Sequence, residues 1–311
     1  MKTTSSTCPI CSSPSIRKKP FKYIFHSAEL RGWSCGRCGI IFLHPQPTAE
    51  ELKQLYSSEY FEGGDFRCGH ESAYSDPNTL ERMGESGLVV EIKSLTKGRR
   101  FLEVGCAGGA FLNAARKLGF EVQGVELSED ACRFARETFG LQVFAGELAD
   151  AHFPDCSFDV VFMGDVIEHL PDPVTVLLEI NRVLDRKGLL VMALPSQTNT
   201  LFTRTGFFLY GLAGGSATVS LPPYHLFEYR PRSLRFVLRS CDFEVSRLVQ
   251  DIIPPSKINL RGPAIQRLGK KLFHYPNFWL TRLIGVCGDR ITVFAVTGHD
   301  PHTTEQGDSC H

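Results

Sequence analysis

The chain carries no net charge: its 34 lysines and arginines balance 34 aspartates and glutamates. Without a basic field there is nothing to gather a polyanion, so no strong nucleic-acid signal is present. Long apolar runs are also missing. The longest uncharged stretch (histidine counted neutral), Thr205 to Phe227, is interrupted by Gly206, Gly211, Gly214, Gly215, Pro222 and Pro223, so no transmembrane segment is expected. The amino-terminal Met-Lys-Thr-Thr-Ser-Ser-Thr lacks the apolar centre of a secretory signal. A cytoplasmic location is therefore the expectation. In that compartment the eleven cysteines serve as free thiols or metal ligands, not as a disulfide framework.

What is present begins with those cysteines. Cys8-Pro-Ile-Cys11 and Cys35-Gly-Arg-Cys38 are two C-x-x-C pairs separated by 23 residues. Each such turn offers two sulfurs from one tight knuckle, and four thiolates satisfy tetrahedral Zn²⁺. Four sulfurs leave no open coordination position, so Cys8, Cys11, Cys35 and Cys38 are expected to hold a structural zinc. Residues 1–45 read as a zinc-ribbon-like domain, whose roughly 40 residues need the metal because their own core is too small.

A helical connector is expected over residues 46–97. Strands and helices then alternate: Phe101–Val104, a helix ending at Leu118, Glu121–Val125, a helix from Ser128 to Gly140, then strands at 142–144, 158–163 and 189–194. Between the last two lies a helix with Val176, Ile180, Val183 and Leu184 on one face. This alternation predicts an α/β fold with a mostly parallel, doubly wound sheet, which binds ligands at the carboxyl ends of its strands. The first strand runs straight into the small-residue turn Gly105-Cys-Ala-Gly-Gly109 and a helix, which is a nucleotide-type cradle. Gly105-x-Ala107-x-x-Ala110 followed by Glu126 is a degraded dinucleotide pattern, so NAD remains open on these residues alone.

Four segments in order resemble the class I S-adenosylmethionine-dependent methyltransferases. Glu103-Val-Gly105-Cys-Ala107-Gly-Gly109 is similar to their first motif and Val125-Glu126 to their second. Ser157-Phe-Asp-Val-Val followed by Asp165-Val-Ile-Glu168-His169-Leu-Pro-Asp-Pro is similar to the fourth-strand motif. Arg182-Val-Leu-Asp-Arg-Lys-Gly188-Leu-Leu resembles the helix–turn–strand that follows. The resemblance implies a Rossmann-like, seven-stranded domain over 98–298, with S-adenosyl-L-methionine bordered by Glu103, Gly105, Cys106, Ala107, Gly109 and Asp165. It further implies that Glu126 takes the ribose hydroxyls and that Glu147 lies near the adenine. Ala107 departs from the usual middle glycine.

On the acceptor side, Asp165, Glu168 and His169 stand at i, i+3 and i+4 and are expected on one helical face. His225 follows in Pro-Tyr-His225-Leu-Phe-Glu. Glu168, His169 and His225 are the candidate catalytic residues. Together with Asp165 they form a candidate second metal site for Mg²⁺ or Mn²⁺, which would lower an acceptor hydroxyl's pKa. The pattern is similar to the E-x-x-E-H plus distant histidine of small-RNA 2′-O-methyltransferases, and to the E-x-x-E-H stretch of ubiquinone-pathway O-methyltransferases.

The Gly-rich aromatic stretch in 196–230 reads as a lid, 252–288 as an insertion and 299–311 as a disordered tail. Segments 201–224 and 263–286 are candidates for peripheral lipid or protein contact. The reading is methyl transfer to a small or carrier-linked acceptor: O-methylation of a sugar, quinol, phenol or secondary metabolite. The alternatives are sugar C-methylation, 2′-O-methylation of RNA ends, or a non-catalytic zinc-ribbon binding module.

Overall fold

The computed structural model describes residues 7–25, 28–48, 50–52, 87–219, 223–257 and 264–298. Most of the expected connector and the whole expected tail lie outside these residues. The chain opens with β1 (Ile16–Phe25), β2 (Ala28–Cys35) and β3 (Ile41–His44), an antiparallel meander between and beyond the two cysteine turns. α1 (Gly87–Leu95) leads into β4 (Arg100–Val104), α2 (Ala110–Lys117), β5 (Glu121–Glu126), α3 (Glu129–Phe139) and β6 (Val143–Ala145). Ser128 caps α3 by accepting from the Ala131 N–H, and Gly140 closes it at φ 63°.

β7 (Phe158–Gly164), α4 (Pro173–Val183) and β8 (Leu184–Pro195) follow. α4 starts where sequence chemistry places it, with Asp172 accepting from the Thr175 N–H and Pro173 in the first turn. It ends one residue earlier than its apolar spacing suggests, because Leu184 turns extended (ψ 140°) and begins β8.

After β8 come α5 (Leu201–Leu212), β9 (Ala217–Val219), β10 (Phe227–Glu228), α6 (Pro231–Ser240), β11 (Phe243–Asp251), α7 (Ala264–Ile284) and β12 (Arg290–Thr297). The main sheet has the order β11-β12-β8-β7-β4-β5-β6, parallel from β8 to β6 and antiparallel around β12. This is the expected seven-stranded, doubly wound α/β sheet. Strand residues alternate between two apolar cores. Phe101, Phe111, Cys132, Val160 and Phe294 share one with α1, α2 and α3. Leu102, Met163, Leu177, Met192 and Leu234 share the other with α4 and α6.

The second core also contains Cys8, Cys35, Cys38, Ile40 and Phe42. The amino-terminal meander is completed by strands from far along the chain, giving the order β10-β3-β2-β1-β9. β10 pairs antiparallel with β3 and β9 pairs parallel with β1. Regions 1–45 and 98–298 therefore do not keep separate sheets. The expected lid is correspondingly structured over its described residues. α5 occupies its first half, capped by Thr200 accepting from Thr203 N–H, and β9 and β10 stitch the remainder to the meander.

Among the described cysteines, Cys156 is disulfide-bonded, against the expectation of thiols throughout. Cys8, Cys11, Cys35, Cys38, Cys106, Cys132, Cys241 and Cys287 are free.

Candidate active site

The order of strands reverses between β4 and β7, and the turns that leave these two strands meet there. A Cβ on Gly105 would stand 2.3 Å from Val166 Cγ2, and the φ of Gly105 is +74°. Only glycine meets both conditions. The Gly105 and Cys106 N–H groups both donate to the Val125 carbonyl, which pins the turn against β5. Ala107 at φ 46° and Gly109 at φ 78° complete a curved backbone entering α2.

Glu126 ends β5 beneath this turn. Its Oε2 accepts from the Ala107 N–H and its Oε1 from the Ser128 N–H, each at 2.9 Å. Each carboxylate oxygen has a further lone pair, so the oriented Glu126 can still accept hydroxyl donors. Burial raises its pKa against the opposing effect of these backbone donors. Glu103 is buried in β4 with Oε2 lacking a partner. Burial first and the Glu126 charge second push its pKa well up. Cys106 is buried, with its thiol pKa raised by burial and by Glu103. The Gly146 N–H donates to Glu126 O at 2.9 Å, which brings the exposed turn carrying Glu147 beside the same strand end.

The acceptor-side residues do not share a helical face. Asp165 leaves β7 at φ 53°, and only a single 3₁₀ turn, Ile167–His169, follows. Leu170 must turn extended because it precedes Pro171, and its ψ is 129°. The Asp165 side chain points instead to Arg290 at the start of β12, whose Nη2 lies 2.8 and 3.0 Å from its two carboxylate oxygens. Asp165 is accordingly absent from the cluster formed by Glu168, His169 and His225, whose ligand atoms lie within 4.8 Å of one another.

That cluster joins the turn after β7 to the segment before β10. His169 Nδ1 donates to the Tyr224 carbonyl at 2.8 Å, which directs its Nε2 toward Glu168 Oε1, 3.6 Å away. The Leu226 N–H donates to the Glu168 carbonyl at 2.8 Å, and the Leu43 N–H of β3 donates to the Leu226 carbonyl at 3.0 Å. The two imidazoles meet edge to face at 5.0 Å. His225 Nδ1 lies 3.5 Å from Glu228 Oε1.

Glu168 is 1% exposed, and neither carboxylate oxygen has a hydrogen-bond partner. Burial raises its pKa to about 8, with Asp165 adding to the rise and His225 opposing it. Burial, aided by His225, lowers His169 to about 3 and keeps it neutral. Burial also acts to lower His225, but the Glu228, Glu168 and Asp165 carboxylates outweigh it and leave that ring above its ordinary value. Sequence reasoning overlooked Glu228, although it stands three residues after His225, and Arg290, which no local pattern marks.

At the cysteine turns, Cys8 and Cys38 Sγ atoms are 3.7 Å apart and those of Cys11 and Cys35 3.5 Å apart. Bonds of about 2.3 Å to one tetrahedral ion would set sulfurs roughly 3.8 Å apart, so the donor set fits such an ion.

Residues 102–192 match the family model described as Methyltransferase domain. The chain is 30% identical over 135 residues to the Ubiquinone biosynthesis O-methyltransferase of Alkalilimnicola ehrlichii, covering 41% of this chain and 51% of that protein. It is 31% identical over 148 residues to the 2-methyl-6-phytyl-1,4-hydroquinone methyltransferase of Synechocystis sp., covering 43% and 46% respectively. The chain thus spans about half the length of these curated relatives. The crystal structure of an S-adenosylmethionine-dependent methyltransferase from Mesorhizobium loti aligns over 70% of this chain and 99% of that one, at 16% identity and a TM-score of 0.49. Residues 102–192 are thus similar to a methyltransferase domain, within a chain of which the model matches less than a third.

Proposed function

We propose that the chain methylates a hydroxyl of a quinol- or catechol-type acceptor, using S-adenosylmethionine as methyl donor and a divalent cation on Glu168, His169 and His225. One observation carries the reading: Glu168 is buried with both oxygens unpaired and faces two imidazoles. An isolated buried carboxylate is costly, and a cation relieves that cost. Two imidazole nitrogens and one carboxylate suit Mn²⁺ better than Mg²⁺, which favours carboxylates and water. The quinol class rests on what the relatives named above are called.

S-adenosylmethionine supplies an electrophilic methyl group on a sulfonium sulfur. Glu103, with its unpaired Oε2, suits a cationic part of that donor, and Glu126 suits the ribose hydroxyls. A divalent cation on the three ligands lowers the pKa of an acceptor hydroxyl. With the donor bound, the acceptor oxygen would bond the methyl carbon as the carbon–sulfur bond breaks, and the Glu168 oxygen not engaged by the cation would take the hydroxyl proton. The Tyr224 carbonyl holds the His169 ring, and the Leu226 N–H holds the main chain of Glu168. Cys8, Cys11, Cys35 and Cys38 hold a structural Zn²⁺ under the same reading, and the domain limits anticipated from sequence belong to it as well.

The test combines calorimetry with S-adenosylmethionine and turnover of a soluble catechol before and after metal removal. Donor binding, with turnover lost on chelation and restored by Mn²⁺, is the expected result. Asp165→Asn should change Mn²⁺ affinity less than twofold, because its carboxylate is committed to Arg290, whereas His225→Ala should abolish it. No donor binding by zinc-loaded protein overturns the methyltransferase reading. Full turnover without added metal overturns the cation alone.

A further inference from the structure

We infer that α5 and α7 together form a docking surface for an anionic lipid bilayer. α7 turns an apolar stripe to solvent: Leu268, Leu272, Tyr275, Trp279 and Leu283 are all exposed, Leu283 at 77%. At about 100° per residue these five positions fall within roughly 80° of the helix circumference. Asn277 and Thr281 lie on the opposite side and are buried at 2% and 3%. The stripe is therefore not the face by which the helix holds to the protein. A soluble helix ordinarily has the reverse arrangement.

The inner face is firmly attached. Asn277 Oδ1 accepts from the Leu201 N–H at the start of α5, and its Nδ2 donates to the Cys287 carbonyl at 2.8 Å. Phe202 and Phe273 meet edge to face between the two helices. On its other side α5 stacks Phe207 on Phe21 of β1, with rings 5.3 Å apart. Its carboxyl half, with Phe208, Leu209, Tyr210 and Leu212, is left exposed. The two helices thus present a continuous apolar area far larger than singly scattered surface residues give.

Charge identifies the occupant. The whole chain is neutral, but residues 196–227 and 252–288 contain seven lysines and arginines and no aspartate or glutamate. By helical spacing, Lys271 and Arg282 border the α7 stripe, and both are exposed. Apolar residues with tryptophan on one face and basic residues at its margin are the arrangement that lies in the interface of an anionic membrane. A second copy of the chain would bring the same positive sign against this one, so self-pairing is disfavoured. Among the described residues no helix is long and apolar enough to cross a membrane, so the contact is peripheral. α5 begins six residues after the carboxyl end of β8, an inner strand of the sheet that carries the candidate active site. If the quinol reading holds, an acceptor with an apolar tail could be taken directly from the bilayer.

The test is co-sedimentation of the full zinc-loaded chain with phosphatidylglycerol–phosphatidylcholine vesicles and with phosphatidylcholine alone. Strong binding to the first and weak binding to the second is expected, with raised salt weakening it. Trp279→Glu combined with Leu283→Glu should lower vesicle affinity at least tenfold. The same variant should keep its S-adenosylmethionine affinity and its turnover of a soluble catechol, since both side chains are exposed and neither belongs to the cluster. Absence of vesicle binding, or equal binding by the double variant, overturns the inference. So does a wild-type dimer that the double variant converts to monomer, which would assign the face to a second copy, or capture of an acidic protein in preference to vesicles. Donor binding measured in parallel separates failure here from failure of the methyltransferase reading.

Discussion

A chain lacking residues 1–45 should not survive as a folded protein. Ile40 and Phe42 are each 2% exposed or less and pack in the core of the main body, while Ile41 and Leu43 form a small cluster with Phe21 that Phe207 and Val219 pack against. Burying such a side chain is worth about 1.5–3 kcal/mol, so the two in the main core together represent roughly 3–6 kcal/mol. A whole domain is stable by only about 5–15 kcal/mol. The deletion also strips β10 of its neighbour and leaves the Leu226 carbonyl without its Leu43 donor, three residues or fewer from His225 and Glu228. Urea denaturation followed by circular dichroism should show loss of the cooperative transition. A gentler perturbation is treatment of the full chain with a thiol-competing chelator, which would remove the zinc proposed on the four cysteines and can be read by hydrogen exchange. The Leu43 and Leu226 amides should exchange at least tenfold faster, while those within β4 and β5 stay protected. A shortened chain that unfolds at the same urea concentration and binds S-adenosylmethionine as tightly would refute the reasoning.

Two further outcomes follow from individual side chains. Glu168 keeps its proton in the folded, metal-free protein up to about pH 8, whereas the unfolded chain releases it near the ordinary carboxylate value. The folded state then binds more protons across that window, so stability falls as pH rises from about 4.5 to 8. Glu168→Gln removes this loss and should make the metal-free protein more urea-resistant than its parent at pH 9, with the gap closing at pH 5; parallel pH profiles would show the argument to be wrong. Gly105→Ala should cost about 1–2 kcal/mol for its left-handed backbone and about 1–3 kcal/mol for crowding Val166. Adding Val166→Ala should recover the crowding part only, and a double variant no more stable than the single one contradicts the geometry.

Much of the framework was legible because it is written locally. The turn at Gly105–Gly109, the caps at Ser128 and Asp172, and the period of the apolar residues each act within a few positions, and the seven-stranded sheet follows from their order. The cysteine pairs were legible for the same reason. Partnerships between distant segments were not. β9 and β10 are only three and two residues long, too short for an alternation to register, and their partners lie about 190 residues away. The face assigned to Asp165, Glu168 and His169 assumed an α-helix. A left-handed Asp165 and a proline at 171 leave room for one tight turn only, and Arg290 captures the aspartate. The solvent-facing stripe on α7 was visible as apolar content, but which side it faced depended on where Asn277 is anchored.

The shared five-stranded sheet also sets the order of events during synthesis. β1 and β3 emerge within the first 45 residues, yet their outer partners are not made until residues 217–228. At about 5–20 residues per second, the nascent meander waits roughly 10–40 s with two open edges, each an invitation to pair with another chain. Early capture of a metal by the four thiols would hold that segment in a single compact form through the interval. Scarcity of that metal would then be felt first as poor yield of the newly made protein, before any defect in the finished one.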